Sequence, residues 1–210
     1  RCFGVTKESN SITCKITGYN PFYYIKVNDE FDNLKLYNFL DWVSSSWICK
    51  KYPTALVKRE CKIVKRKDLY GFRNGKEYKY IKLVFNNYTA LMRSRYLFKK
   101  PVIIGRLTNK PVKYKLYESN FDGYMRFCHF KNILMAGWIR LPKDKWSKTY
   151  NEANTQLEVE INWNDIISLK DCKEIGNFLQ ASFDIETYSY DKTFPDPNKR
   201  FTVNKNCKCN

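Results

Sequence analysis

Residues 115–142 read KLYESNFDGYMRFCHFKNILMAGWIRLP. Between Tyr117 and Ile133 the apolar and aromatic side chains, among them Phe121, Tyr124, Met125 and Phe127, recur at helical steps, so a helix carrying an apolar stripe is expected. The GWIRLP that follows is short, contains a β-branched residue and stops at Pro142, which reads as a strand. His129, the single histidine of the chain, lies within the helical stripe. A packed or capped histidine is the expected role there, in preference to a catalytic one.

The same alternation of element types continues upstream. Residues 11–27, SITCKITGYNPFYYIKV, read as two β-rich runs about a Gly18-Tyr19-Asn20-Pro21 turn, a hairpin signal. Phe31, Leu34, Tyr37, Phe39, Leu40, Trp42, Val43, Trp47 and Ile48 then recur at three- and four-residue steps until Pro53, which predicts a helix. The Ser44-Ser45-Ser46 run has no base beside it and reads as helix surface. Charged and apolar residues alternate in 60–69 and 79–85, giving two strands with Gly71 and Gly75 at the turn between them. Asn87 is placed to cap a helix running to Leu97. Downstream, 142–154 is rich in Lys, Asn and Ser and is expected to be an exposed loop, whereas LEVEIN at 157–162 alternates as a strand does. The mixture defines an α+β fold class.

Charge is unevenly spread over the 210 residues. The net charge is +17, and residues 50–115 hold 20 lysines and arginines against 3 acids, Glu60, Asp68 and Glu77, so the flanking segments together are neutral. A local positive field of that size attracts a polyanion, and phosphate neutralisation with counterion release makes nucleic acid the leading partner. An anionic membrane surface competes for the same charge, and a solvated basic face without a ligand is the plain alternative. Lys62, Lys65, Arg66, Lys67, Arg73 and Lys76 are the candidate nucleic-acid-binding residues. Aromatic side chains interleave them at Tyr70, Phe72, Tyr78 and Tyr80, where some could stack on bases.

Eight cysteines occur with no C-x-x-C pair among them, so a zinc module is not indicated. No run of apolar residues approaches the ~18 that a membrane span requires, and no membrane partner is expected. A reducing, intracellular setting fits the free thiols. The first residue is Arg1, not Met, from which the chain is expected to be cut from a longer product.

In 179–187, LQASFDIET, two carboxylates interrupt an apolar run. On a strand, Asp184 and Glu186 project from one face and Phe183 and Ile185 from the other. Carboxylates grouped in this way suit a pair of hard cations at a scissile phosphate. Taken alone, D-x-E also arises on any half-exposed strand.

The surrounding landmarks are more specific. Ser182-Phe183-Asp184-Ile185-Glu186-Thr187 resembles the first exonuclease motif of B-family DNA polymerases of the delta and large-DNA-virus types. The aromatic run ITGYNPFYYIKV, the strand pair of RKDLYGFRNGKEYKYIKLVF, and the landmarks Tyr117, Glu118, Asn120, Arg126, Phe127, Gly137, Trp138 and Ile139 precede it in that family's order. The resemblance covers roughly Ile12 to Asn198.

That resemblance implies an amino-terminal polymerase domain, partly an OB-like barrel, over 1–180, and the first strand or strands of a ribonuclease-H-like exonuclease domain over 181–210. It implies a replicative DNA polymerase with 3′→5′ proofreading as parent, with Asp184 and Glu186 as catalytic ligands of a two-Mg²⁺ site. The further exonuclease aspartates and the palm motifs are expected beyond Asn210, so the isolated chain should be inactive. The implied partners are single-stranded template, the primer end, the remaining polymerase chain and, compatibly, accessory replication factors. The nucleus or a viral replication site is the implied location. The competing reading is a stand-alone basic module that binds single-stranded nucleic acid without catalysis.

Overall fold

A computed structural model describes residues 1–68, 71–150, 153–177 and 182. Its strands form two four-stranded sheets and one two-stranded ribbon. One sheet has the order β1-β2-β9-β8, built from Cys2–Val5, Ser11–Thr17, Leu157–Asn162 and Trp146–Lys148. The other has the order β4-β5-β3-β6, built from Lys62–Lys67, Glu77–Val84, Phe22–Lys26 and Leu116–Tyr117. β7 (Ile139–Arg140) and β10 (Ile167–Ser168) pair as the ribbon.

The second sheet is antiparallel throughout. Its chain order, strand, helix, two strands, helix, strand, is the split βαββαβ arrangement. The helices concerned are α1 (Asn33–Ser45), α2 (Trp47–Lys51) and α3 (Tyr88–Ser94). Period two sorts the strand residues: Ile63, Ile81, Ile25 and Leu116 share a register row, with Tyr23 opposite Leu83 beside it. That face packs with Leu36, Phe39, Leu40 and Val43 of α1 and Ala90 and Leu91 of α3 in the larger core. Helices thus cover one face of an open sheet, and an OB-like barrel has no counterpart in this half of the chain.

Three expectations are corrected. β2 and β3 do not form a hairpin, because β2 pairs with β1 and β9 whereas β3 pairs with β5 and β6. The Gly18–Pro21 turn instead hands the chain from one sheet to the other. The helix expected over 31–48 is broken at Ser46, whose extended backbone ends α1 and opens α2. Within the expected loop 142–154, residues Trp146–Lys148 form β8, which is exposed along its length and pairs at the sheet edge with β9. An edge strand needs no apolar face, so polarity alone hid it.

The second core joins the first sheet to α4 (Gly123–Lys131) through Cys14, Val159, Ile161, Phe127, Cys128 and Ile166. Asp122 caps α4 by accepting from the amides of Tyr124 at 2.8 Å and Met125 at 3.1 Å. At its other end Asn132 takes the left-handed conformation, φ 52°, while the Ile133 amide reaches the Cys128 carbonyl at 2.9 Å. The buried α4 residues are Arg126, Phe127 and Cys128, whereas Phe121, Tyr124 and Met125 are exposed. His129 is exposed too, in the last turn of α4, its ring perpendicular to that of Phe130 and its carbonyl accepting from the Asn132 amide; of the packed or capped histidine expected, the packing is not found.

Candidate nucleic-acid interface

β4 is an edge strand with the sequence KIVKRK, and Lys62, Lys65, Arg66 and Lys67 are all exposed. The pleat divides them. Lys62 stands opposite Lys82 and Arg66 opposite Tyr78, on the face without helices, whereas Lys65 opposes Lys79 and Lys67 opposes Glu77 on the other. The cations grouped by sequence are therefore two sets, separated by the thickness of a sheet. Arg73 and Lys76 are exposed in the β4–β5 connection, where the Lys76 amide donates to the Arg73 carbonyl at 3.0 Å. No ion pair among the described residues engages any of the six.

The helix-free face is aromatic as well as basic. Tyr24 of β3 opposes Tyr117 of β6 and Lys82 of β5, with Tyr80 opposite Lys26 in the next row. Neighbouring rings meet edge-on, at 5.4 Å for Phe22–Tyr24, 6.5 Å for Tyr24–Tyr80 and 5.2 Å for Tyr80–Tyr117. Cations lie over several of the rings: Lys26 is 3.6 Å and Lys76 5.4 Å from the Tyr78 centroid, Lys82 is 4.0 Å from Phe22, and Lys115 is 4.9 Å from Tyr117. Cation–π attraction holds these charges on the sheet instead of leaving them free in solvent. Tyr80 is 3% exposed, so it belongs to the sheet packing and cannot stack on a base. Tyr24, Tyr78 and Tyr117 are half-buried and retain open surface.

Electrostatics follow from this crowding. Burial lowers the Lys82 pKa, and Lys62 across the strand pushes it the same way. Burial raises Tyr80 to about 12, with Asp68 adding to the effect. Two of the three acids of the basic segment serve internal contacts: Asp68 accepts from Lys26 at 2.9 Å and from the Tyr117 hydroxyl at 3.0 Å, and Glu60 accepts from Asn20 at 2.8 Å. On the helix-free face the field of Lys62 and Arg66 is consequently little offset by local carboxylates, whereas on the other face the exposed Glu77 stands opposite Lys67.

The landmarks that open the 115–142 stretch hold the halves together. Arg126 is 3% exposed. Its Nη2 donates to the Glu118 carbonyl at 3.0 Å and to Glu118 Oε2 at 2.7 Å, and its Nη1 donates to the Phe22 carbonyl. Glu118 sits in the left-handed region at φ 56° and meets the guanidinium fork with both its carbonyl and its carboxylate. Trp138 donates from Nε1 to the Glu174 carbonyl at 2.7 Å. Sequence reasoning marked Arg126 as a landmark and missed its role, because an arginine in an aromatic helix carries no signal of what it clamps.

Asp184 and Glu186 lie outside the described residues, as do Cys207 and Cys209. Among the described residues no group of three or more His, Cys, Asp or Glu side chains is placed to hold a metal ion, and no helix is long and apolar enough to cross a membrane. The six described cysteines are free.

Comparison with known proteins agrees with this picture. Residues 114–204 match the family described as DNA polymerase family B, exonuclease domain. The chain is 30% identical over 206 residues to the DNA polymerase of Acanthamoeba polyphaga mimivirus, covering 94% of this chain and 12% of that protein. It is also 30% identical over 212 residues to the DNA polymerase delta catalytic subunit of Schizosaccharomyces pombe, covering 94% of this chain and 18% of the relative. In fold it is similar to the family B DNA polymerase of Pyrobaculum calidifontis, with a TM-score of 0.58 at 16% identity, over 93% of this chain and 21% of that one.

The resemblance to B-family DNA polymerases is therefore borne out along nearly the whole chain. The chain spans less than a fifth of the length of the viral and the delta-type relative.

Proposed function

We propose that this chain belongs to a replicative B-family DNA polymerase that copies a template and proofreads with a 3′→5′ exonuclease. The observation that carries the reading is the family match over 114–204, which runs through the Asp184-Ile185-Glu186 motif. Residues 1–180 form the amino-terminal domain in this reading, and 181–210 begin the exonuclease domain. In this reading the OB-like arrangement belongs to the half containing β1, β2, β8 and β9.

Asp184 and Glu186 would supply ligands to a Mg²⁺ pair. Their hard oxygen donors at i and i+2 fit that metal, whereas the cysteines of the chain offer soft sulfur. When bound, the metals would activate the attacking water and stabilise the leaving oxygen. The chain's own contribution in this reading is the Asp184 and Glu186 carboxylates, and a hold on single-stranded DNA by its phosphates through Lys62, Lys65, Arg66, Lys67, Arg73 and Lys76.

The test uses the full-length polymerase. Asp184→Ala with Glu186→Ala should slow removal of a mismatched primer end roughly a thousandfold or more. Nucleotide incorporation should remain largely intact, since its metal site would lie in the palm. Normal proofreading by the double variant would sink the motif assignment. The 210-residue chain by itself should digest nothing in Mg²⁺, because two carboxylates without further ligands cannot hold both metals.

A further inference from the structure

The strand register places Cys2 of β1 directly opposite Cys14 of β2. Both thiols belong to the second core, Cys14 buried at 3% exposure and Cys2 packed against it and half-buried. Directly opposed residues of an antiparallel pair have Cα atoms about 4.5 or 5.5 Å apart, according to their hydrogen-bonding position. Both values fall inside the roughly 4.4–6.8 Å that a disulfide spans. Their Cβ atoms, about 4.5–5.5 Å apart in such a pair, need only close toward about 4 Å. β1 can make that movement because it is a four-residue strand that, among the described residues, pairs on one side alone.

We propose that Cys2 and Cys14 are a redox-convertible pair, which closes to a disulfide across β1 and β2 when a small-molecule disulfide such as oxidised glutathione accumulates. The Cys2 thiolate attacks one sulfur of the oxidant, whose S–S bond breaks and releases one glutathione thiolate. A mixed disulfide is left on Cys2. The Cys14 thiolate then attacks the Cys2 sulfur, forms the Cys2–Cys14 bond and expels the second glutathione. Two protein thiols lose two electrons and two protons, and one glutathione disulfide becomes two glutathione thiols.

Burial outweighs the amino-terminal ammonium, which lowers both thiols, and keeps the reaction slow. Burial raises the Cys2 thiol, and the Cys128 thiol of α4 adds to that. Burial carries Cys14 up to about 11, with Cys2 reinforcing it. Little of either is thiolate at neutral pH, so the pair answers to sustained oxidation and not to a passing pulse. Closure fixes the edge strand to its neighbour and restricts the unfolded chain.

The experiment is incubation of the 210-residue chain with oxidised glutathione near pH 8, followed by alkylation of the unfolded, unreduced chain and peptide mapping. The expected result is a crosslink joining the Cys2 and Cys14 peptides, two fewer alkylated thiols than in the reduced protein, and a raised thermal midpoint that reductant reverses. Cys128→Ser should still form the bridge, and Cys14→Ser should stop at a mixed disulfide on Cys2. If Cys14→Ser does not fold, Cys2→Ser serves instead and should leave Cys14 unmodified. A Cys2–Cys128 bridge, or a mixed disulfide on Cys2 that never resolves in the unsubstituted protein, would overturn the proposal.

Discussion

Arg126 lies over the ring of Phe22, its guanidinium carbon 4.4 Å from the centroid, while donating to the main-chain carbonyl of the same residue. One side chain of the α4 half thus holds both the ring and the backbone of a strand in the other half. Arg126→Met should cost about 3 kcal/mol, because the buried Phe22 carbonyl and the part-buried Glu118 carbonyl lose their donor. Arg126→Lys should recover little of it, since an ammonium cannot reproduce the fork. Urea unfolding followed by tryptophan fluorescence reads this directly, and an unchanged midpoint in Arg126→Met would show that the clamp is not what joins the halves.

The pleat of β4 makes the DNA-binding residues separable. If single-stranded DNA tracks the helix-free face, Lys62→Glu with Arg66→Glu should lower the slope of log affinity against log salt by about 0.7 for each phosphate no longer neutralised. Lys65→Glu with Lys67→Glu, on the opposite face, should change it less. Equal effects from the two pairs would mean that the strand edge is gripped from both sides, and no effect from either would place the binding surface elsewhere.

Raising the pH from about 9 toward about 11 should weaken the fold. Burial raises Cys14 and Cys61 from the ordinary 9.0 to about 11. A thiol that ionises less readily in the fold than in the unfolded chain stabilises the fold only while protonated. That contribution is complete below pH 9 and is lost as pH rises toward 11. Near pH 10.5 the loss should be roughly 1–2 kcal/mol per thiol, seen as a falling urea midpoint. A flat midpoint from about pH 8 to about pH 10.5 would contradict the burial of these groups.

Gly18 is set at φ +77°, and a Cβ there would come within 2.6 Å of Asn162 Nδ2. Gly18→Ala should therefore destabilise by roughly 1–3 kcal/mol, from left-handed strain and from displacement of the Asn162 amide, which ends β9. The thermal midpoint should fall. A neutral or stabilising effect would show that the turn between the sheets can reopen without consequence.

The strands of the second sheet were legible because KIVKRK and EYKYIKLV interleave charged with β-branched and aromatic residues, although Ile63 and Val64 are only half-buried and Tyr80, Ile81, Leu83 and Val84 bury both faces of β5. The α3 cap was legible for a local reason: Asn87 accepts from the Ala90 amide, three residues on. Partnership was not legible. β2 and β3 each look like one arm of a hairpin, and only long-range pairing with β9 and β5 shows that they belong to different sheets. β1, β6, β7 and β10 are two to four residues long, too short for any period to register. In the candidate interface, charge was visible as a segment total, while the division of Lys62 and Arg66 from Lys65 and Lys67 required the register. The rings of Tyr24, Tyr78 and Tyr117 were visible as aromatics, yet nothing in the sequence says that lysines already cover two of them.

The parallel pairing of β2 with β9 brings Ser11 against Gln156, 145 positions apart. A ribosome adding about 5–20 residues per second reaches β9 roughly 7–30 s after β2 has emerged. The βαββαβ half, complete by Tyr117, can collapse during that wait, whereas β2 must stay with one side of its ladder open. That open edge is a ready template for another nascent strand, so the first sheet is where chaperone binding during translation should concentrate.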